Sequence, residues 1–130
     1  VQCKRTVEHV RNALEIDKPV LGICLGNQIL SLAAGGSTYK LKFGHRSQNQ
    51  PCVEVGTKRC TITSQNHGYA VDTRTLPSGW EPCFINANYG TNEGIRPRSR
   101  PFMSVQFHPE ASPGPTDADY VFDAFLERLP

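Results

Sequence analysis

The 130-residue sequence predicts one α/β domain over residues 1–130, in which helices flank a sheet of several strands. Three observations predict this class. Apolar residues recur at helical spacing near both ends of the chain, and short apolar runs of strand length lie between them. A cysteine between two glycines marks the point where one such run gives way to a helical pattern. This order of elements is typical of an α/β domain.

Composition and charge exclude several functional classes. Hydrophobic residues make up 38% and charged residues 20% of the chain, which is ordinary for a globular domain. The formal net charge of +2 gives no electrostatic reason to expect a nucleic-acid partner. The longest apolar runs are far shorter than a bilayer-spanning helix, so we expect no membrane partner.

The cysteines and histidines predict neither a disulfide framework nor a metal site. The chain has five cysteines, an odd number, and no C-x-x-C pair. Its four histidines lack the spacings of a zinc site. We therefore expect a cytoplasmic protein whose thiols stay reduced, and no bound metal.

The chain is predicted to open with a helix, a buried strand and a second helix. Apolar residues at helical spacing predict a helix over residues 6–16, which Pro19 ends because the residue before a proline disfavours helical geometry. The short apolar run at residues 20–23 predicts a strand buried on both faces. Residues 25–34 predict a second helix, which Gly35 closes where left-handed geometry is needed.

The rest of the chain predicts several strands and a last helix. Alternating apolar and polar residues, or short apolar runs, predict strands over residues 38–43, 53–55, 60–64, 82–87 and 102–107. The polar stretch that follows residue 64 and contains His67 is interpreted as a loop. An amphipathic pattern predicts a helix over residues 117–129.

The sequence Gly22-Ile23-Cys24-Leu25-Gly26 has the form G-x-nucleophile-x-G at a predicted strand-to-helix turn. Such a turn crowds the residues two before and two after the nucleophile, and glycine relieves that crowding. The helix N-terminus should favour thiolate over thiol and lower the pKa of Cys24 from about 8.5 by a unit or more. A buried cysteine in a turn would show the same short pattern, but the strand before it and the helix after it favour a nucleophile.

A histidine and a glutamate follow the last predicted strand as His108-Pro109-Glu110. A thiol nucleophile needs a base that takes its proton and later returns it to a leaving amine, and a carboxylate can orient that base. His108 and Glu110 fit these two roles. His67 is the competing base, and a surface loop is the alternative interpretation of the His-Pro-Glu sequence.

Three motifs in this order resemble the class I (triad) glutamine amidotransferases: GICLGNQ, QNHGYAVD and SVQFHPEASPGP. Together with KLKFGHRSQNQP, they resemble in particular the small subunit or domain of glutamine-dependent carbamoyl-phosphate synthetases. The resemblance covers nearly the whole chain. It implies the fold of that family, a three-layer arrangement in which helices flank a sheet.

The resemblance also implies a reaction and a role for each matching residue. Cys24 would attack the side-chain amide of glutamine, and a glutamyl thioester would form as ammonia leaves. His108 would act as base and then as acid, and Glu110 would orient it. The residues that would bind glutamine or its oxyanion are Leu25, Gln28, Asn66, Gly68 and Tyr69. No cofactor is implied for this domain, because ATP and Mg²⁺ belong to the synthetase partner that receives the ammonia.

The chain departs from the family pattern in two places. The glycine-rich oxyanion loop of the family would precede Val1, so we expect a fold truncated at its N-terminal side whose isolated activity is doubtful. Loss of one oxyanion donor costs about a hundredfold to a thousandfold in rate. Secondly, Asn27 stands where many relatives carry histidine.

Two other functions remain open from the sequence. A catalytically silent domain that packs against and regulates the synthetase would share the fold, although it would not need Cys24 with its partners. Another cysteine hydrolase, such as a γ-glutamyl peptidase, would share the nucleophile, but Gln28 and the QNHGYAVD motif argue against it.

Overall fold

A computed structural model describes residues 4–16, 18–98, 100–108 and 120–127, and for residues 45–49, 64, 66, 120 and 124 it describes the backbone alone. Helices and strands alternate at first, and a run of strands follows. The elements are α1 Lys4–Glu15, β1 Val20–Ile23, α2 Leu25–Ala34, β2 Ser37–Glu54, β3 Cys60–Asp72, β4 Trp80–Asn86, β5 Asn92–Pro97, β6 Phe102–Val105 and α3 Tyr120–Glu127.

The described strands form one sheet of six, in the order β1-β6-β5-β4-β2-β3. Strands β1 and β6 are parallel, with Ile23 opposite Val105, and the other pairs are antiparallel. The sheet curls, since the side chain of Gln65 on β3 reaches Glu93 on β5 although these strands are not neighbours. Because β1 and β6 are parallel, their carboxyl ends lie at the same edge of the sheet.

Helices cover both faces of the sheet. Phe102 of β6 belongs to an apolar cluster with residues of α1 and α2, whereas Met103 and Val105 pack with Val121 of α3. This alternation buries β6 on both sides, as expected for a strand in the middle of three layers. The predicted α/β class and the three-layer arrangement are confirmed.

The first elements match their predictions closely. Strand β1 and helix α2 have the predicted bounds, and α1 covers residues 4–15 instead of 6–16. The described part of α3 lies within the predicted helix. The left-handed Gly35, with φ of 110°, closes α2 by donating to the carbonyl of Leu32. No helix in the described ranges is long and apolar enough to cross a membrane.

The predictions for four strands were wrong. Strand β2 is much longer than either of the two segments predicted within it, and β6 ends two residues before its predicted end. Strand β5 was missed because Ile95 is its one large apolar residue. The polar stretch that contains His67 is part of β3, not a loop. Its inward-facing residues are polar and buried, so the hydrophobic alternation that marks a strand is missing: Thr61, Thr63, Gln65 and His67.

Candidate active site

Cys24 lies at the sharp turn between β1 and α2, with φ of 55° and ψ of −107°. This conformation, with positive φ and negative ψ, is strained for any residue with a side chain. A Cβ atom on Gly22 would lie 2.5 Å from the carbonyl oxygen of Gly26, so position 22 requires glycine. A Cβ atom on Gly26 would meet no described atom within 4 Å beyond its own helix and chain neighbours. The predicted steric need for glycine is therefore confirmed before the cysteine and wrong after it.

The turn of Cys24 is tied to the end of β6. The backbone N–H of Cys24 donates to the carbonyl of Val105 at 2.9 Å and so continues the parallel pairing by one residue. The chain then runs from Val105 through buried Phe107, which packs edge-on against Phe84 at 5.1 Å, to half-buried His108. Cys24 and His108 therefore follow neighbouring parallel strands at one edge of the sheet. Glu110, the third predicted triad residue, lies outside the described residues.

The N-terminus of α2 begins directly at the thiol. The carbonyl of Cys24 accepts from the amide of Asn27 at 3.0 Å, and the side chain of Cys24 makes no capping hydrogen bond. Leu25 is the first helical residue, so its N–H has no acceptor within the helix, and its side chain is exposed. This N–H and the positive end of the helix dipole can stabilise negative charge beside Cys24.

A chain of side-chain amides connects the sulfur of Cys24 to the interior. The Nε2 atom of Gln106 donates to the sulfur at 3.8 Å. The Oε1 atom of Gln106 accepts from Asn27 at 3.1 Å and from Gln28 at 3.3 Å. Asn27 in turn accepts from the hydroxyl of Ser104 at 2.7 Å. Sequence reasoning assigned no role to Gln106 or Ser104, although a polar residue directly after an apolar strand and two before His108 was a usable signal.

The residues predicted to bind glutamine come partly together. Gln28 on α2 donates from Nε2 to the backbone carbonyl of Tyr69 on β3 at 3.3 Å. Gly68 is half-buried and precedes Tyr69 on the same strand, and the side chain of Tyr69 is exposed. The backbone of Asn66 lies in β3, but its side chain is outside the described set. Helix α2 and strand β3 thus meet beside the cysteine turn.

His67, the competing base, has both ring nitrogens within hydrogen-bond distance of other β3 residues. Its ring is buried, with Nδ1 2.8 Å from the carbonyl oxygen of Tyr69 and Nε2 2.6 Å from Oε1 of Gln65. Both ring nitrogens therefore face hydrogen-bond acceptors within β3. This arrangement favours His108 over His67 as the base for Cys24.

A buried polar cluster around Glu93 adjoins Gln65, the residue that bonds His67. Gln65 donates to a carboxyl oxygen of Glu93, and the thiol of Cys52 donates to the same oxygen at 3.1 Å. Burial raises the pKa of Glu93 to about 7. Burial and the neighbouring carboxyl of Glu93 raise the pKa of Cys52 well above its ordinary value. Cys52 is therefore an unreactive core thiol, in contrast to partly exposed Cys24.

The described residues include no group of three or more histidine, cysteine, aspartate or glutamate side chains that could hold a metal ion. The cysteine turn offers a thiol and amide donors, and the neighbouring strand leads to the imidazole of His108. These groups suit acyl transfer from an amide or ester.

The fold is that of a class-I glutamine amidotransferase. A model of the family described as "Glutamine amidotransferase class-I" matches residues 1–128, and the chain belongs to this family. A solved glutamine amidotransferase from Thermotoga maritima is 26% identical, with a TM-score of 0.70 over 97% of this chain and 54% of that chain.

Among curated proteins, the chain is similar to parts of several longer proteins. It is 58% identical over 125 residues to "Multifunctional protein pyr-3" of Neurospora crassa, covering 95% of this chain. It is 53% identical over 128 residues to "Carbamoyl phosphate synthase arginine-specific small chain" of Neosartorya fischeri, covering 98% of this chain. The chain spans 7% and 28% of the lengths of these two relatives.

Proposed function

We propose that this chain forms the glutamine-hydrolysing part of a carbamoyl-phosphate synthase. The observation that carries the proposal is the strained backbone of Cys24 at the end of β1, with a positive φ and a hydrogen bond to the strand that leads to His108. Strain of this kind at a residue other than glycine is costly, and it persists where the position of a side chain matters for function. Similarity to carbamoyl phosphate synthase small chains supports the choice of pathway.

In the first step, the Cys24 thiolate attacks the side-chain amide carbon of glutamine, and a tetrahedral intermediate with a negatively charged oxygen forms. The N–H of Leu25 at the start of α2 donates to this oxygen, supported by the helix dipole. His108 takes the thiol proton and transfers it to the leaving nitrogen, so that ammonia departs and a glutamyl thioester remains.

In the second step, water attacks the thioester. His108 now takes a proton from water and returns it to the sulfur, which releases glutamate and restores the thiol. Glu110 keeps the imidazole in the required orientation and tautomer throughout. The net reaction converts glutamine and water into glutamate and ammonia, without a redox step or a cofactor in this domain.

Substrate recognition in this proposal uses the junction of α2 and β3. Gln28, held by the carbonyl of Tyr69, hydrogen-bonds the substrate, and the segment around Asn66, Gly68 and Tyr69 binds its amino-acid end. Amide and backbone groups match the amide, ammonium and carboxylate groups of glutamine.

The ammonia passes to a synthetase subunit or domain that uses ATP, Mg²⁺ and bicarbonate. Carbamoyl phosphate made in this way feeds pyrimidine or arginine synthesis. A cytoplasmic location is proposed from the cysteine pattern, which indicates reduced thiols. The domain described here contributes glutamine hydrolysis, and the partner contributes the phosphoryl chemistry.

Replacement of Cys24 by serine in the full-length polypeptide tests this proposal. Carbamoyl phosphate synthesis from glutamine should be lost, while synthesis from added ammonia should continue, because the synthetase reaction does not need the thiol. Persistence of the glutamine-driven reaction in Cys24→Ser would show that the assignment is wrong. A wild-type protein that neither hydrolyses glutamine nor forms an adduct with a glutamine-mimicking electrophile would support the silent, regulatory alternative.

A further inference from the structure

We propose that Gln106 is a further residue of this active site, in which its amide nitrogen donates a hydrogen bond to the sulfur of Cys24 and its amide oxygen holds Gln28. The inference rests on the proposed function, because it concerns how Cys24 acts as a nucleophile. Gln106 is completely buried and follows β6 directly, so its side chain has a fixed place beside the turn.

The backbone carbonyl of Tyr69 fixes the direction of the hydrogen bonds made by Gln28 and Gln106, because a carbonyl oxygen can only accept. The backbone carbonyl of Tyr69 has no proton to donate, so the side-chain atom of Gln28 that faces it at 3.3 Å is the NH₂ group. The same NH₂ group faces one end of the Gln106 side chain at 3.3 Å. That end of Gln106 is therefore its oxygen, and the other end, which faces Cys24, is its nitrogen.

Asn27 and Ser104 are arranged consistently with this polarity. The Ser104 hydroxyl donates to Oδ1 of Asn27 at 2.7 Å, which leaves the Nδ2 group of Asn27 to donate to Oε1 of Gln106 at 3.1 Å. The oxygen of Gln106 thus accepts from two amides. The side chains of Gln106, Asn27 and Ser104 are all buried. Exchanging the oxygen and nitrogen of the Gln106 amide would therefore place its NH₂ group against the NH₂ groups of Asn27 and Gln28, where water cannot compensate.

The consequence for Cys24 is electrostatic. A donor directed at the sulfur favours the thiolate over the thiol, in the same sense as the N-terminus of α2. One glutamine side chain thereby links the nucleophile to Gln28, the residue proposed to bind substrate. Gln106 thus both stabilises the reactive form of the sulfur and fixes its position relative to the substrate side of the site.

The test compares the wild type with Gln106→Met, which keeps the length of the side chain and removes the donor. The rate of alkylation of Cys24 by iodoacetamide is measured against pH in the full-length polypeptide, with the Cys24 peptide quantified by mass spectrometry. Loss of a hydrogen bond to the charged thiolate should raise the midpoint of the alkylation-rate profile by about one pH unit. At neutral pH the alkylation rate should therefore fall about tenfold. The kcat for glutamine should fall similarly and recover as the pH rises.

A second variant keeps the test decisive if Gln106→Met does not fold. In Gln106→Glu the shape is unchanged, but a carboxyl oxygen replaces the nitrogen, so the midpoint should rise as well. The control is Ser31→Ala, which removes a buried hydroxyl on α2 that donates to the backbone carbonyl of Asn27 at 2.9 Å and lies outside the amide chain. Its midpoint should equal that of the wild type.

An unchanged midpoint in the folded Gln106 variants would overturn the inference and leave the side chain a packing role. Because iodoacetamide reacts without a glutamine-binding site, this outcome is separable from failure of the proposed function. That failure would appear in the wild type itself, as absence of glutamine hydrolysis.

Discussion

The backbone N–H of Gln106 donates to the carbonyl of Glu93 at 2.7 Å, which joins the residue beside the Cys24 sulfur to the buried acid of β5. The chain of side-chain amides at the Cys24 sulfur and the buried cluster around Glu93 are therefore connected by a backbone hydrogen bond. Glu93 lies on β5, next to the strand β6 that leads to Gln106, so a change in its charge takes place one strand away from the cysteine turn.

Glu93 should make the stability of the domain depend on pH. Burial raises its pKa from 4.5 to about 7 in the folded state, so the folded protein keeps a proton that the unfolded chain loses. This contribution is fully present below pH 4.5 and is lost as the pH rises to about 7, a change of about 3 kcal/mol. Urea unfolding at a series of pH values measures it.

The control for this prediction is a pair of carboxyl-to-amide variants. Glu93→Gln should remove the fall in the free energy of unfolding between pH 4.5 and 7, relative to the wild type. In Glu54→Gln, which removes a half-buried carboxyl group on β2 and keeps Glu93, the fall should remain. Equal pH dependence in Glu93→Gln and the wild type would contradict the assignment.

The glycine before Cys24 should not tolerate a side chain. A methyl group at position 22 would lie 2.5 Å from a backbone oxygen that cannot move without breaking the turn. We expect Gly22→Ala to lose about 3 kcal/mol of unfolding free energy. Gly26→Ala is the matched control, since the space there is open, and it should be neutral or slightly stabilising. Equal losses in the two variants would contradict the geometry of the turn.

The strain at Cys24 should be measurable as stability. With φ of 55° and ψ of −107°, the position favours glycine, although the sequence has cysteine there. Cys24→Gly should therefore be about 1–2 kcal/mol more stable than Cys24→Ala, because glycine adopts this backbone conformation without strain. If alanine is the more stable of the two, the residue is not strained.

Gln28 should affect substrate binding more than reactivity of the thiol. Gln28→Met removes the amide that the proposal directs at glutamine and leaves Gln106 in contact with the sulfur. The KM for glutamine should rise about tenfold, which corresponds to the loss of one or two hydrogen bonds to the substrate. The rate of iodoacetamide alkylation of Cys24 is the internal control and should change little. A fall in alkylation as large as the loss of kcat/KM would place Gln28 with the nucleophile instead.

Much of the site's framework could be predicted from the sequence, because local patterns specify it. An apolar run followed by Gly22, Cys24 and a helical pattern was enough to give the bounds of β1 and α2. These residues interact mainly with near neighbours in the chain or with apolar surfaces that any hydrophobic residue can fill.

The missed features depend on distant polar partners. Gln65 on β3 is polar and faces inward because it bonds Glu93 and Cys52 on other strands, and His67 in turn bonds Gln65. A single sequence does not reveal that pairing. Gln106 contacts Asn27, which is 79 positions earlier in the chain. Buried polar networks of this kind become visible only when the fold brings their members together.

The central claim is that Cys24 forms a covalent bond to the acyl group of glutamine. The most direct measurement is acid quenching of the full-length polypeptide during turnover, followed by mass spectrometry of its peptides. The account predicts one glutamyl group on the Cys24 peptide and none on exposed Cys60. Glutamine hydrolysis that proceeds at the wild-type rate in a Cys24→Ala variant, or a glutamyl group found on another residue, would contradict it.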